Sequence, residues 1–143
     1  MHLALVLRSL SLAVWFGSGI ATVLATSAVF ARAESRKAAG DIAGAILRRT
    51  NALRAVAAIC FVLAALLGAR GPATWLGGVC IVLQLIAVPV DLATRKMRRD
   101  LGGSVDALEP GDPRRRRFGA LHGIAMLLLL LQVMISGGGL AAQ

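Results

Sequence analysis

Tyrosine is absent from this 143-residue chain, aromatic residues make up only 4% of it, and seven acidic residues face sixteen Lys and Arg. The shortage of aromatics removes the platforms on which nucleic-acid bases stack, so a formal charge of +9 does not by itself imply a nucleic-acid partner. None is expected. The two cysteines, Cys60 and Cys80, both fall inside apolar runs, where a thiol behaves as a small hydrophobe with no obvious route to a disulfide. Three catalytic signatures are also missing: a Ser-His-Asp arrangement, clustered carboxylates within the apolar runs, and a glycine loop leading into Lys and Ser or Thr. Neither an enzyme nor a cofactor is expected.

Apolar sequence is abundant. Hydrophobic residues make up 57% of the chain and the mean hydropathy is +0.76, too greasy for an ordinary soluble domain of this length. Four stretches are long enough to cross a hydrocarbon core, which takes about 20 helical residues. They cover about 10–31, 50–69, 73–90 and 118–139. In the second, Arg54 near one end is expected to carry its guanidinium to the headgroups on its long stem. The last ends in Gly137, Gly138 and Gly139, expected to fray at the interface. Lipid cannot satisfy open backbone groups and the runs lack strand alternation, so the chain is expected to be all-α, an integral membrane four-helix bundle.

The cations decide orientation. Fourteen of the sixteen lie in or beside the connectors 32–49 and 91–117; only Arg8 and Arg70 fall on the other side. The positive-inside rule therefore predicts N-out/C-out topology in a bacterial cytoplasmic membrane. Arg95, Lys96, Arg98, Arg99, Arg114, Arg115, Arg116 and Arg117 are assigned to fixing topology or attracting anionic lipid. Ala31-Arg32-Ala33 resembles a signal-peptidase site, but the apolar run before it is too long for a signal h-region and is read as a retained helix.

Within the first connector, Ala39, Ile42, Ile46 and Leu53 recur at roughly helical spacing while Lys37, Asp41 and Arg48 fall opposite, which predicts an amphipathic interfacial segment between helices 1 and 2. Leu101-Gly102-Gly103-Ser104 and Glu109-Pro110-Gly111-Asp112-Pro113 predict a mobile, polar excursion in the second. The short Arg70-Gly71-Pro72 connection predicts that the second and third helices form an antiparallel hairpin.

Three places in the chain carry a family likeness. His2 to Leu7 followed by Val14-Trp15-Phe16-Gly17-Ser18-Gly19, the run Ala28-Val29-Phe30, and Asp112-Pro113 followed by Phe118-Gly119-Ala120-Leu121-His122-Gly123 together resemble the transmembrane protein 205-like family, whose bacterial members are domain-of-unknown-function membrane proteins. The resemblance covers most of the chain and implies a four-helix membrane domain without an assigned chemistry. Ala125 stands where the family pattern has serine.

Few polar groups lie within the spans. His122 sits one turn inside the fourth and Asp91 at the matching end of the third, so they would form a polar anchor or proton-responsive site if paired; alternatively Asp91 meets Arg95 and His122 bonds a carbonyl or headgroup. His122, Met126 and Cys60 would suit Cu(I), although Met126 in a leucine-rich run reads more simply as filler and no metal site is assigned. Gln84 and Gln132 fall at comparable depth and are expected to hydrogen-bond between helices. Gly17 and Gly19, with Ser18, Thr22, Thr26 and Ser27, give the first helix a small face for packing in the bundle or against another protein. Trp75 suits the aromatic belt, while Trp15 is either core or lipid-facing.

The function expected from this set is a non-catalytic accessory or scaffold component acting through helix association, with the lipid bilayer and a second copy or another membrane protein as partners. The alternative is a small transporter or ligand-binding module using the His122 and Asp91 region.

Overall fold

The computed structural model describes residues 2–102, 105, 108–109 and 111–143. It is all-helical, with α1 (His2–Arg32), α2 (Arg36–Leu66), α3 (Pro72–Asp100) and α4 (Pro113–Ala141) running up, down, up and down. Each helix is long and apolar enough to cross a membrane. Contacts of Gly139 with Leu12, and of Gly19 with Leu129 and Val133, pack α1 antiparallel against α4, and close pairing of α1 with α2 and of α3 with α4 completes the bundle.

The helices outrun the apolar spans because the connectors are themselves helical. Ser35 caps α2 by accepting a hydrogen bond from the Ala38 amide at 3.1 Å, so the amphipathic stretch becomes the first half of α2, continuous with its apolar half. Its inner side is buried at Ala39 and Ala43. At the far end, α3 remains helical to Asp100, and α4 starts where Asp112 accepts from the Arg114 amide at 2.7 Å with Pro113 in the first helical position. The excursion expected over 91–117 is thereby reduced to a connector of twelve residues, of which Gly103, Ser104, Asp106, Ala107 and Pro110 lie outside the described residues. At the opposite end α2 stops in a Schellman motif. The Ala69 amide donates to the Ala64 carbonyl and the Gly68 amide to that of Ala65, with Gly68 at φ 92°. Gly71, at φ 105°, then turns the chain into Pro72.

The burial pattern reverses that of a water-soluble bundle. The interior is built largely of small or polar side chains, among them Ala4, Ala57, Ala64, Ala73, Ser11, Ser18 and Ser136, around Leu12, Trp15 and Phe61. Large apolar side chains face outward, with Leu66 77% and Met134 68% exposed. Lipid exerts no hydrophobic pressure between helices, so association rests on close backbone approach and van der Waals packing, which small residues permit. This distribution suits a lipid solvent.

Two expectations are corrected here. Gly137 and Gly139 do not fray: α4 stays helical to Ala141, and a Cβ at these glycines would press on Phe16 and Leu12, respectively. The α2–α3 connection is a short antiparallel turn, yet the two helices hardly touch through their backbones. Long side chains bridge them instead: Phe61 lies over Gly77, Asn51 reaches Asp91 at 3.2 Å, and Arg98 reaches the Gly40 carbonyl. Trp15 belongs to the core, 0% exposed, with its ring centroid 5.6 Å from that of Phe61, and Trp75 is 81% exposed.

Candidate functional site

A polar seam runs between α2 and α3 from the basic end toward the middle of the bundle. On α2 it uses Gly40, Gly44, Asn51, Arg54 and Phe61; on α3 it uses Gly77, Gln84, Asp91, Arg95 and Arg98. These spacings of three, four or seven keep each set on one helical face. At the basic end the Arg98 guanidinium donates to the carbonyls of Lys37 and Gly40 and pairs with Asp41 at 3.0 Å. One level deeper, Arg95 pairs with Asp91 at 2.5 Å, and Asn51 donates to the same carboxylate. Asp91 thus engages Arg95 and Asn51, and no bond joins it to His122.

The deepest charged member of the seam is Arg54. About 18 Å of helix separates it from Leu66, and its partner Ser18 sits about 15 Å along α1 from Arg8 and about 21 Å from Arg32, close to the middle of the uncharged stretch. The side chain does not reach for headgroups. It is 5% exposed and turned into the bundle, where Nε donates to Ser18 Oγ at 3.0 Å. The adjacent Nη2 has no hydrogen-bond partner among the described residues. Gly19 makes room for this guanidinium, because a Cβ there would lie 3.0 Å from Nη2 and collide with Val133. Arg54 is therefore not the end residue expected from its position in the second apolar stretch; the sequence signal for its inward placement is the seven-residue spacing from Leu47 and Phe61 on the face that carries Asn51.

At about the depth of Arg54, hydrogen bonds of a side-chain amide close the interior between α3 and α4. Gln132 Nε2 donates to Gln84 Oε1 at 3.2 Å and to the Cys80 carbonyl at 3.0 Å, tying α3 to α4 at the depth where the two glutamines were expected to meet. Arg8, also buried, donates to the Arg70 carbonyl at 2.9 Å and secures the α2–α3 turn, while Arg70 itself caps the end of α2 through the carbonyls of Ala65 and Ala69.

The remaining candidates are dispersed. His122 is exposed on α4, its ring parallel to that of Phe118 with centroids 6.3 Å apart. Among the described residues no three His, Cys, Asp or Glu side chains converge as metal ligands, and Cys60 and Cys80 are both free thiols. The small face of α1 is divided: Gly19, Ser18 and Thr22 are buried, whereas a Cβ at Gly17 would meet nothing within 4 Å. Lys96, Arg99, Arg116 and Arg117 are exposed at the basic end; Arg114 pairs with Asp112 at 2.8 Å and Arg115 donates to the Leu108 carbonyl at 3.1 Å.

Comparison of the chain with protein families, curated proteins and solved structures returns no match.

Proposed function

We propose that this protein is a non-catalytic accessory or scaffold component of the bacterial cytoplasmic membrane, its basic end inward and both termini outward, that docks another transmembrane helix on the outer face of α1. The observation that carries this reading is the open position at Gly17. Ala13, Gly17 and Ala21 recur every fourth residue and all are exposed, a small-residue track on which a second helix can approach closely. Gly17→Leu should break co-purification in mild detergent, and an unchanged complex size would count against the reading. Gly19→Leu is no test of docking, because Gly19 is used inside the bundle. A reporter fused after Gln143 that is active only in the cytoplasm would overturn the orientation.

Membership of the transmembrane protein 205-like family belongs to the same proposal. It rests on the sequence likeness alone, most of all on Asp112-Pro113 and the run Phe118 to Gly123.

A second reading, a ligand-binding module or small transporter, is favoured by one specific feature, the buried Arg54. That residue supplies an inward polar group which His122, exposed on α4, does not.

A further inference from the structure

We infer that Arg54 is the receptor for a carboxylate headgroup that enters the bundle along the α2–α3 seam. This goes beyond helix docking on α1 and neither requires it nor is required by it.

Arg98 has Asp41 and Arg95 has Asp91, so the two outer cations of the seam are each compensated by a carboxylate. Arg54, the deepest, has none among the described residues, although an uncompensated cation in a dry interior carries the heaviest desolvation cost of the three. The chain cannot readily supply the missing anion, because its seven acidic residues all fall within positions 34–41 and 91–112, toward the basic end. Asp91, the nearest along the seam, has both oxygens engaged by Arg95 and Asn51. A second copy of the chain carries its acids at the same positions and is no better placed.

Geometry adds to this. Arg54 is 5% exposed and Ser18 holds it by Nε alone, which fixes the plane of the guanidinium and leaves Nη2 free to donate. A second buried donor, Trp15 Nε1, lies one turn from Ser18 on the same face of α1 and also has no partner among the described residues. A planar guanidinium matches a planar carboxylate, and one positive charge matches one negative charge, whereas a dianionic phosphate would remain undercompensated. Trp15 and Ala57 belong to the adjoining apolar core, and Leu129 and Val133 lie beside Gly19 where it borders Nη2, so a tail following the headgroup would meet apolar side chains. The wide spacing of α2 and α3, bridged only by side chains, is the natural way in.

The test uses the purified full chain in dodecyl maltoside and follows thermal unfolding with dodecanoate, with the uncharged analogue dodecanol, and with acetate. Dodecanoate should raise the unfolding midpoint of the wild type, by about several degrees at saturation, and dodecanol should not. Arg54→Gln should weaken the apparent affinity at least about tenfold, while Arg99→Gln, which removes the same charge from an exposed site, should leave it unchanged. An acetate response equal to that of dodecanoate would identify a free small carboxylate as the ligand; a response to dodecanoate alone would identify a lipid-derived one. Should Arg54→Gln fail to fold, Trp15 fluorescence in a Trp75→Phe background reads the same site: a saturable change with the carboxylate and none with dodecanol supports the assignment. Equal midpoint shifts in wild type and Arg54→Gln, or an unresponsive Trp15, would overturn it.

Discussion

Arg54 Nε and Ser18 Oγ meet at 3.0 Å near mid-height of a bundle whose interior is otherwise largely small or apolar. The bond ties α2 to α1 where neither helix can exchange it for water, so losing one partner alone should cost more than losing both. Ser18→Ala is expected to destabilise the bundle by about 1–3 kcal/mol in detergent, and adding Arg54→Met should recover much of that loss. The check is a double-mutant cycle of unfolding midpoints; additive effects would show that the two side chains are not coupled.

Glycines on two faces of the bundle should respond in opposite ways. Gly77→Ala drives a methyl into the Phe61 ring and should cost about 1–3 kcal/mol, since the ring is itself 3% exposed and packed on Trp15. Gly17→Ala meets nothing and should leave folding stability within about 0.5 kcal/mol, or raise it slightly through helix propensity. Thermal unfolding of the two variants in the same detergent separates these outcomes.

Arg98 is the clamp between the end of α3 and the start of α2, through Asp41 and two carbonyls. Arg98→Ala should therefore loosen residues 36–47 locally while the apolar halves of the helices hold. Faster amide exchange confined to that stretch, with an unchanged global midpoint, is the expected result. Uniform acceleration along α2 would show that the clamp supports the whole helix.

Asp112 offers a pH dependence outside the membrane-spanning part. Its hydrogen bonds from the Arg114 side chain and then from the Arg114 amide hold its carboxyl below the usual carboxylate range. A depressed folded value means that the contribution is complete above the unfolded pKa of about 3.9 and disappears as pH falls through the lower folded value. Exchange at the first turn of α4, taken relative to the intrinsic rate at each pH, should thus be steady near neutral pH and rise only below about pH 4. In Asp112→Asn the rise should vanish.

Some features were legible from residue order because a bilayer imposes them directly. Four apolar stretches of sufficient length imply helices wherever water is excluded, and the positions of Gly71-Pro72 and Asp112-Pro113 mark where α3 and α4 begin. Gln84 and Gln132 could be matched in depth simply by counting along two antiparallel rods. Helix rotation is harder to read. A lipid-facing surface and a lipid-like interior are both apolar, so hydropathy does not say which side of a helix points inward. That is why Gly17 and Gly19, two residues apart, could not be assigned to opposite faces, nor Trp15 to the core.

What the sequence by itself determined is the number of helices, their approximate extents and the clustering of cations in two connectors, since length and charge follow directly from residue order. Only the tertiary structure decided that Arg54 turns inward to Ser18, that Asp91 is taken by Arg95 and Asn51, and that α2 and α3 stand apart. Those outcomes depend on which small residues let which backbones approach, and that is a property of pairs of helices in contact.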